Sequence, residues 1–440
     1  MSVAVALFTR DLRTRDNPVL AAAVRAGTEV VPLFVLDDGI LGRKPGAANR
    51  IRFLTAALAE LDSELRALGG RLVVRRGAVA DSVARVVAET GADSVHLAAD
   101  VSRYSRERER ALRERLAHTG CRVHAHAGSI TVVDPAALRP ATGREHFAVF
   151  TPYFNRWLDM PLRTPLRRPA RLRLPRIESD TLPAAADLCG DPGSPTLAVG
   201  GETTGRKLLR EWLSGPVERY HTDSDDLAAA PTSRLSPHLH FGCLSPVEVV
   251  HRTDLSTPGG HAFARQLAWR DFHHQILSAT PETAWRDYRP RPVRRHDPQA
   301  VAAWETGRTG YPVIDAAMRQ LLAEGWMPGR ARLIAASFFT KSLGLDWRIG
   351  AAHFERWLVD ADLANNRMNW QWAAGTGTDT RPNRVLNPLR QADRYDPQGA
   401  YVRRWIPELA ELPGPAVHRP WRAGLAAADY PPPIIECNGM

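Results

Sequence analysis

"EVVPLFVLD" (29–37), followed by "RIRFLTAALAELDSELRALGG" (50–70), decides the architecture of the first third of the chain. The first is a short, continuous apolar run, the pattern of a strand buried on both faces. The second repeats apolar residues at helical spacing and ends on glycine, the pattern of an amphipathic helix with a stop. The alternation extends outward. "SVAVALF" (2–8), "RLVVRRG" (71–77), "SVHLAAD" (94–100) and "CRVHAHAG" (121–128) are further strand candidates, with amphipathic segments between them. Strands that alternate with helices need crossovers, so the expectation is an α/β, doubly wound parallel sheet over residues 1–134. No Gly-x-Gly-x-x-Gly follows the first strand, which argues against an ordinary dinucleotide site there.

Residues 135–200 read differently. "TPLRRPARLRLPRIESDTLPAAADLCGDPGSP" (164–195) is rich in Pro and Arg with little periodicity, and reads as a long connector packed over a surface. Beyond it the strand signal disappears. "TGRKLLREWLSG" (204–215), "HAFARQLAWRDFHHQILSA" (261–279), "YPVIDAAMRQLLAEG" (311–325), "RARLIAASFFTKSLG" (330–344) and "AAHFERWLVDADLANN" (351–366) carry the spacing of buried helices. An all-helical domain over 201–440 is expected.

The composition narrows the function. A chain of 440 residues suits two cores. No apolar run approaches the ~20 residues needed to cross a bilayer. The N-terminus places its apolar residues before its basic ones, the reverse of a secretory signal, so the expected location is cytoplasmic. Cys121, Cys189, Cys243 and Cys437 are scattered without CxxC spacing, which argues against a structural metal or a disulfide framework. The net charge of +10 suits a polyanionic partner. Only Lys44, Lys207 and Lys341 are lysines, however, and that skew toward arginine also fits coding bias in a GC-rich genome. The basic run "RYSRERERALRERL" (103–116) reads as a solvated helix face.

One segment of the helical part stands apart. "NNRMNWQWAAGTGTD" (365–379) gathers side-chain amides around Trp370 and Trp372. Core filler is the ordinary reading of a tryptophan, but indole N–H groups and amides each need a partner when buried. A planar, polar heteroaromatic ligand such as a flavin, an adenine or a nucleic-acid base would suit such a lining.

Six stretches together carry a resemblance: "LFTRDLRTRDNPVL" (7–20), "TSRLSPHLHFG" (232–242), "RQLAWRDFHHQIL" (265–277), "TGYPVIDAAMRQL" (309–321), "NWQWAAGTGTDTRPNRVLNP" (369–388) and "YDPQGAYVRRWIPEL" (395–409). They are collinear and cover nearly the whole chain. The sequence resembles the photolyase and cryptochrome family, closest to class I cyclobutane pyrimidine dimer photolyases. The resemblance implies an N-terminal domain that often holds an antenna chromophore, an 8-hydroxy-deazaflavin or a methenyltetrahydrofolate, for which Arg50 and Arg52 are candidate contacts. It implies a helical domain that holds FAD. Thr232, Ser233, Leu235 and Ser236 match the pyrophosphate segment, and Tyr220 a further phosphate or ribose contact. Gln266, Arg270, Trp326, Arg332, Asp360, Asp362 and Asn366 complete the FAD set, with Asn366 facing flavin N5. Trp370 and Trp347 match the first and second electron donors to the flavin. Trp269 and Trp372 match the walls around a flipped pyrimidine dimer, and Arg330 and Arg384 contacts to UV-damaged DNA.

The chain departs from the family pattern at several points. Gln266 stands where DNA-repairing members usually have Glu. "GWMPGRARL" (325–333) puts Pro328, Gly329 and Leu333 in place of His, Asn and Met. Arg294 occupies the position of the outermost tryptophan donor. These losses fall on the substrate side and leave the FAD set largely intact. The expected function is a blue-light DNA photolyase that splits pyrimidine dimers by electron transfer from reduced FAD. A cryptochrome-like photoreceptor and a flavoenzyme turned to a small-molecule substrate are the alternatives.

Overall fold

The computed structural model describes residues 2–41, 47–141, 143–292, 294–424 and 429–436. Cys437 lies outside them. Five strands, β1 (Val3–Phe8), β2 (Glu29–Asp37), β3 (Val73–Gly77), β4 (Ser94–Ala98) and β5 (Arg122–His126), form one sheet in the order β3-β2-β1-β4-β5. Every pairing is parallel. The chain starts at the centre, winds to one edge and returns to the other, which is the doubly wound topology expected from the alternation.

Local chemistry sets the crossovers. Helix α1 (Pro18–Ala26) begins with Pro18 in its first turn, and the Asn17 side chain accepts from the Leu20 amide at 2.9 Å. Helices α2 (Ala48–Arg66), α3 (Val79–Thr90) and α4 (Arg103–Leu116) follow. Gly91, at φ 65, ends α3 in the left-handed conformation that costs glycine least. The basic run forms α4, and half of its arginines pair along it: Arg103 with Glu107 at 2.7 Å, Arg113 with Glu109 at 2.7 Å, and Arg110 with Glu114 at 3.7 Å. Such i,i+4 pairs belong to a solvated face.

The connector covers the β3 edge of the sheet. The Ser179 hydroxyl accepts from the Val74 amide at 2.9 Å, and the Asp180 amide donates to the Val74 carbonyl at 3.0 Å. An open strand edge is thereby closed.

The chain divides into two compact units. The first is Met1–Pro192, Ala198–Val217 and Ser233–Pro281, and the second is Gly193–Leu197, Glu218–Thr232 and Glu282–Met440. The first unit therefore includes helices α5 (Phe150–Leu158) and α6 (Pro258–Ala279). Buried Asp271 of α6 shows why α6 groups with the sheet. Its Oδ2 accepts from the Val132 and Val133 amides at 2.9 Å each and from Trp157 Nε1 at 3.0 Å. Burial pushes this carboxyl above the usual range, and the Arg270 charge and these hydrogen bonds pull it back.

The second unit is helical. Its core gathers Trp304, Trp347 and Trp370 with Phe338, Phe339 and Phe354. Helices α7 (Pro312–Glu324), α8 (Gly329–Ser337), α9 (Trp347–Trp357) and α10 (Leu363–Ala374) surround it. The segment 351–366, expected as a single helix, breaks between Trp357 and Leu363. Asp362 competes for backbone N–H groups and caps a new helix, while Leu358 is extended. Among the described residues no helix is long and apolar enough to cross a membrane.

Asp271→Ala should strand three buried N–H donors at once. At about 1–3 kcal/mol for each unmet group, the variant is expected to lose on the order of 3 kcal/mol or more of stability, read by denaturant melts. Surface Asp254→Ala should cost under about 1 kcal/mol in the same assay.

Candidate active site

Three helices of the second unit carry Arg330 and Arg332 (α8), Trp347 (α9) and Asn366, Trp370 and Trp372 (α10), and α10 packs against both α8 and α9. Arg332, on the first turn of α8, reaches the turn that leads into α10. Its Nη1 and Nη2 meet Asp360 Oδ1 and Oδ2 at 3.0 and 2.8 Å, and its Nε donates to the Met327 carbonyl at 2.9 Å. Asp360 is 7% exposed, so the pair is largely out of water and relies on its two-pronged geometry to offset desolvation. Asp362 caps α10, accepting from the Asn365 amide at 2.9 Å and from Asn365 Nδ2 at 2.7 Å.

Asn366 follows in the first turn. It is buried, and its Nδ2 donates to the Ala351 carbonyl at 2.9 Å. Its Oδ1 keeps no protein donor. Next to it Arg367 pairs with Glu355 at 2.7 and 2.8 Å. Asn366 therefore offers a fixed, neutral carboxamide oxygen held among charges that are already neutralised.

The tryptophans divide by what their N–H groups meet. Trp370 is 1% exposed and its Nε1 has no partner. A Cβ added at Gly350 would lie 2.1 Å from the Trp370 ring, so this indole rests directly on the α9 backbone, one turn from Trp347. Trp304, at 5.8 Å from Trp370 between ring centroids, donates to the Ala335 carbonyl at 3.2 Å. Trp347 is fully buried and donates to Asp287 Oδ1 at 2.8 Å. Trp326 is also buried. Trp372 is half-buried, with the exposed Arg384 guanidinium 5.6 Å from its ring centroid.

The amides of 365–379 resolve into separate roles. Gln371 is fully buried and serves the backbone: Nε2 donates to the Thr283 and Arg286 carbonyls at 2.7 and 2.9 Å, and Oε1 accepts from the Tyr288 amide at 2.8 Å. Asn369 donates to the Asn365 carbonyl at 2.8 Å. Gln371 and Asn369 therefore serve the backbone and do not form a common ligand lining with Asn366, whose oxygen keeps no protein donor.

Arg330 is already engaged. It pairs with Asp225 and lies 4.5 Å over the Tyr395 ring. Tyr220 opens a single helical turn, Tyr220–Asp223; burial, then the Asp225 charge, push its hydroxyl up to about 12. Thr232 Oγ1 is buried with no partner, which leaves it free for a ligand oxygen.

In the first unit, Ser233 and Leu235 precede the short helix Ser236–His240. Leu235 occupies the cap position, and no side-chain cap hydrogen bond is made there, while the Ser233 hydroxyl accepts from the Leu235 amide at 3.4 Å. Arg234 adopts φ 49, an unusual conformation for an arginine. On α6, Gln266 is exposed and Trp269 half-buried. The Trp269 ring stacks on Phe150 with centroids 3.7 Å apart and planes within 5°, which covers one of its faces. Arg270 donates to the Ile130 and Leu239 carbonyls, a use that sequence reasoning did not foresee. Asp225, Asp271 and Asp287 were likewise missed. Each lies in a segment where only a partner distant in sequence gives it meaning. Arg52, a candidate antenna contact, donates to the Pro192 carbonyl at 2.6 Å.

Residues 4–170 match the DNA photolyase family and residues 263–439 the FAD binding domain of DNA photolyase. The chain is 55% identical to a deoxyribodipyrimidine photo-lyase of Streptomyces griseus, over 99% of its own length and 97% of that protein. The structure of a class III photolyase from Agrobacterium tumefaciens superposes with a TM-score of 0.90 at 33% identity, covering 99% of this chain and 94% of that one. A cryptochrome from Synechocystis gives 0.91 at 28% identity, covering 99% and 96%. The chain belongs to the photolyase and cryptochrome family. It is a flavoprotein of that family, with FAD as its cofactor.

Gly350→Ala should drive a methyl group into the Trp370 ring, which cannot swing away as a flexible side chain would. A loss of about 1–3 kcal/mol in thermal or denaturant stability is expected. Retention of FAD through gel filtration should fall in parallel.

Proposed function

We propose that the chain is a cytoplasmic DNA repair enzyme that splits cyclobutane pyrimidine dimers in UV-damaged DNA under blue light. The observation that carries this reading is the buried Arg332–Asp360 pair on the turn leading into α10, whose first turn presents the unpartnered Asn366 oxygen. Bound FAD supplies light absorption and one-electron chemistry. The protein's part is to hold it and to set the charge around it. Arg332 stabilises negative charge on the ring system, and Asp360 keeps that stabilisation from being excessive. Asn366 accepts a hydrogen bond without adding a full charge. Thr232, with Tyr220, suits the phosphate and ribose end. Ser233, Ser236 and the Leu235 backbone are proposed for the pyrophosphate.

Trp370 and then Trp347 would supply electrons to bound FAD. Trp269 offers its uncovered face to an extruded base, and Trp372 is proposed as a second apolar wall. Gln266 hydrogen-bonds a thymine carbonyl but donates no acidic proton. For the DNA backbone, exposed Arg384 is better placed electrostatically than Arg330, whose charge is already met by Asp225.

The test is dimer cleavage by reduced, FAD-loaded protein under blue light. Trp269→Ala is expected to weaken binding of a damaged strand by about 1–3 kcal/mol, the range for one lost base-aromatic stack. Gln266→Glu combined with Gly329→Asn should speed splitting, and a Cβ at Gly329 meets nothing within 4 Å. No detectable cleavage, together with equal affinity for damaged and undamaged strands, would defeat the repair reading in favour of a photoreceptor or a small-molecule enzyme.

A further inference from the structure

Resting on the reading of Trp370 and Trp347 as electron donors to the flavin, we propose that Asp287 takes the indole proton of Trp347 when that ring is oxidised. Proton transfer would then hold the separated charge where the family uses a further tryptophan. The argument starts from Arg294. It stands at the outer donor position and cannot be oxidised as an indole can, so a positive hole that reaches Trp347 finds no tryptophan at that position.

Water does not solve the problem, because Trp347 is fully buried. A carboxylate does. Asp287 Oδ1 already accepts the Trp347 Nε1–H at 2.8 Å. Loss of one electron turns an indole N–H into an acid of carboxylic strength, so the proton can cross a hydrogen bond that already exists.

The neighbouring indoles show that this arrangement is selective. Trp370 Nε1 has no partner, and Trp304 Nε1 meets only the Ala335 carbonyl, which is not a base at neutral pH. Of these three buried rings, only Trp347 can shed its proton. The hole therefore settles there, although Trp304 also adjoins Trp370.

Neighbouring cations position Asp287. Arg348 Nη2 binds the same oxygen at 2.9 Å, and Arg348 also pairs with Asp346 at 3.1 Å. Arg294 interacts with both aspartates. Arg348 further lies 4.9 Å over the Trp347 ring, and Arg367 lies at 5.8 Å. Two cations facing one indole oppose a lasting positive charge on it, which favours the neutral, deprotonated radical.

The step balances as follows. Trp370 loses one electron to the photoexcited flavin and regains one from Trp347. The Trp347 Nε1–H bond breaks and an O–H bond forms on Asp287. A soluble thiolate then returns one electron to Trp347, Asp287 returns the proton, and two oxidised thiols pair as a disulfide. Asp287 acts through Trp347 and does not touch the flavin.

The experiment is flash photolysis of oxidised, FAD-loaded protein without DNA, with dithiothreitol as the reductant. In wild type, a neutral tryptophan radical should form and its appearance should slow in D2O. Asp287→Asn keeps the acceptor oxygen and the size but removes the base. It should lower the neutral radical yield by about tenfold or more and abolish the solvent isotope effect. Asp287→Glu should restore part of both. An unchanged radical yield in Asp287→Asn overturns the proposal. So does a wild-type radical whose formation is indifferent to D2O, a measurement that needs no variant to fold. Dimer cleavage by dithionite-reduced wild type is measured separately, so failure of the repair reading is told apart from failure of this one.

Discussion

A single carboxylate oxygen, Asp271 Oδ2, ties the longest helix of the first unit to the sheet that precedes it. Three N–H groups from two separate segments converge on it, each within 3.0 Å. Helix α6 carries Gln266, Trp269 and Arg270, so the orientation of every substrate-side candidate on that helix follows from this one buried acceptor. Arg270 adds a second tie through the Ile130 carbonyl. Residues that look like ligand contacts from their neighbours in sequence thus include some whose work is to aim the others.

The second unit solves its analogous problem with paired charges. Arg332 with Asp360 and Arg367 with Glu355 take four charged side chains largely out of water around the start of α10. Between them Asn366 is held by a single backbone contact and stays electrically neutral. A neutral, oriented amide in such a setting responds to charge changes in a bound ring without competing with it. Gln371, three bonds deep in backbone contacts, fixes the other end of the same helix.

Much of this was legible in the sequence. Short apolar or β-branched runs announced all five strands, although β5 is only partly buried. Helix stops at Gly91, Gly325 and Gly375 follow the same left-handed glycine chemistry as the stop read at the end of residues 50–70, though they were not singled out. The break between α9 and α10 was not legible, because "LVDAD" continues the helical spacing and only the commitment of Asp360 to Arg332 and of Asp362 to the cap interrupts it. The family motifs located Arg332, Asp360, Asn366 and Trp370 in the unit where the charge pairs are found. They said nothing of Asp287, Asp225 or Gln371, whose partners lie 60 or more residues away and share no pattern with them.

The stacked pair of Trp269 and Phe150 has a geometric consequence of its own. A ring covered on one side is an end-stop, not a slot: a flat partner can lie against it from one direction only, and only the terminal member of a pile of bases can touch it. Two bases joined covalently present one such terminal face to Trp269, and so does a single unmodified base. On the proposed role, Trp269 would register whether a base has left its helix, and the distinction between one base and a joined pair would have to be drawn by depth: by how far the next group extends from that wall.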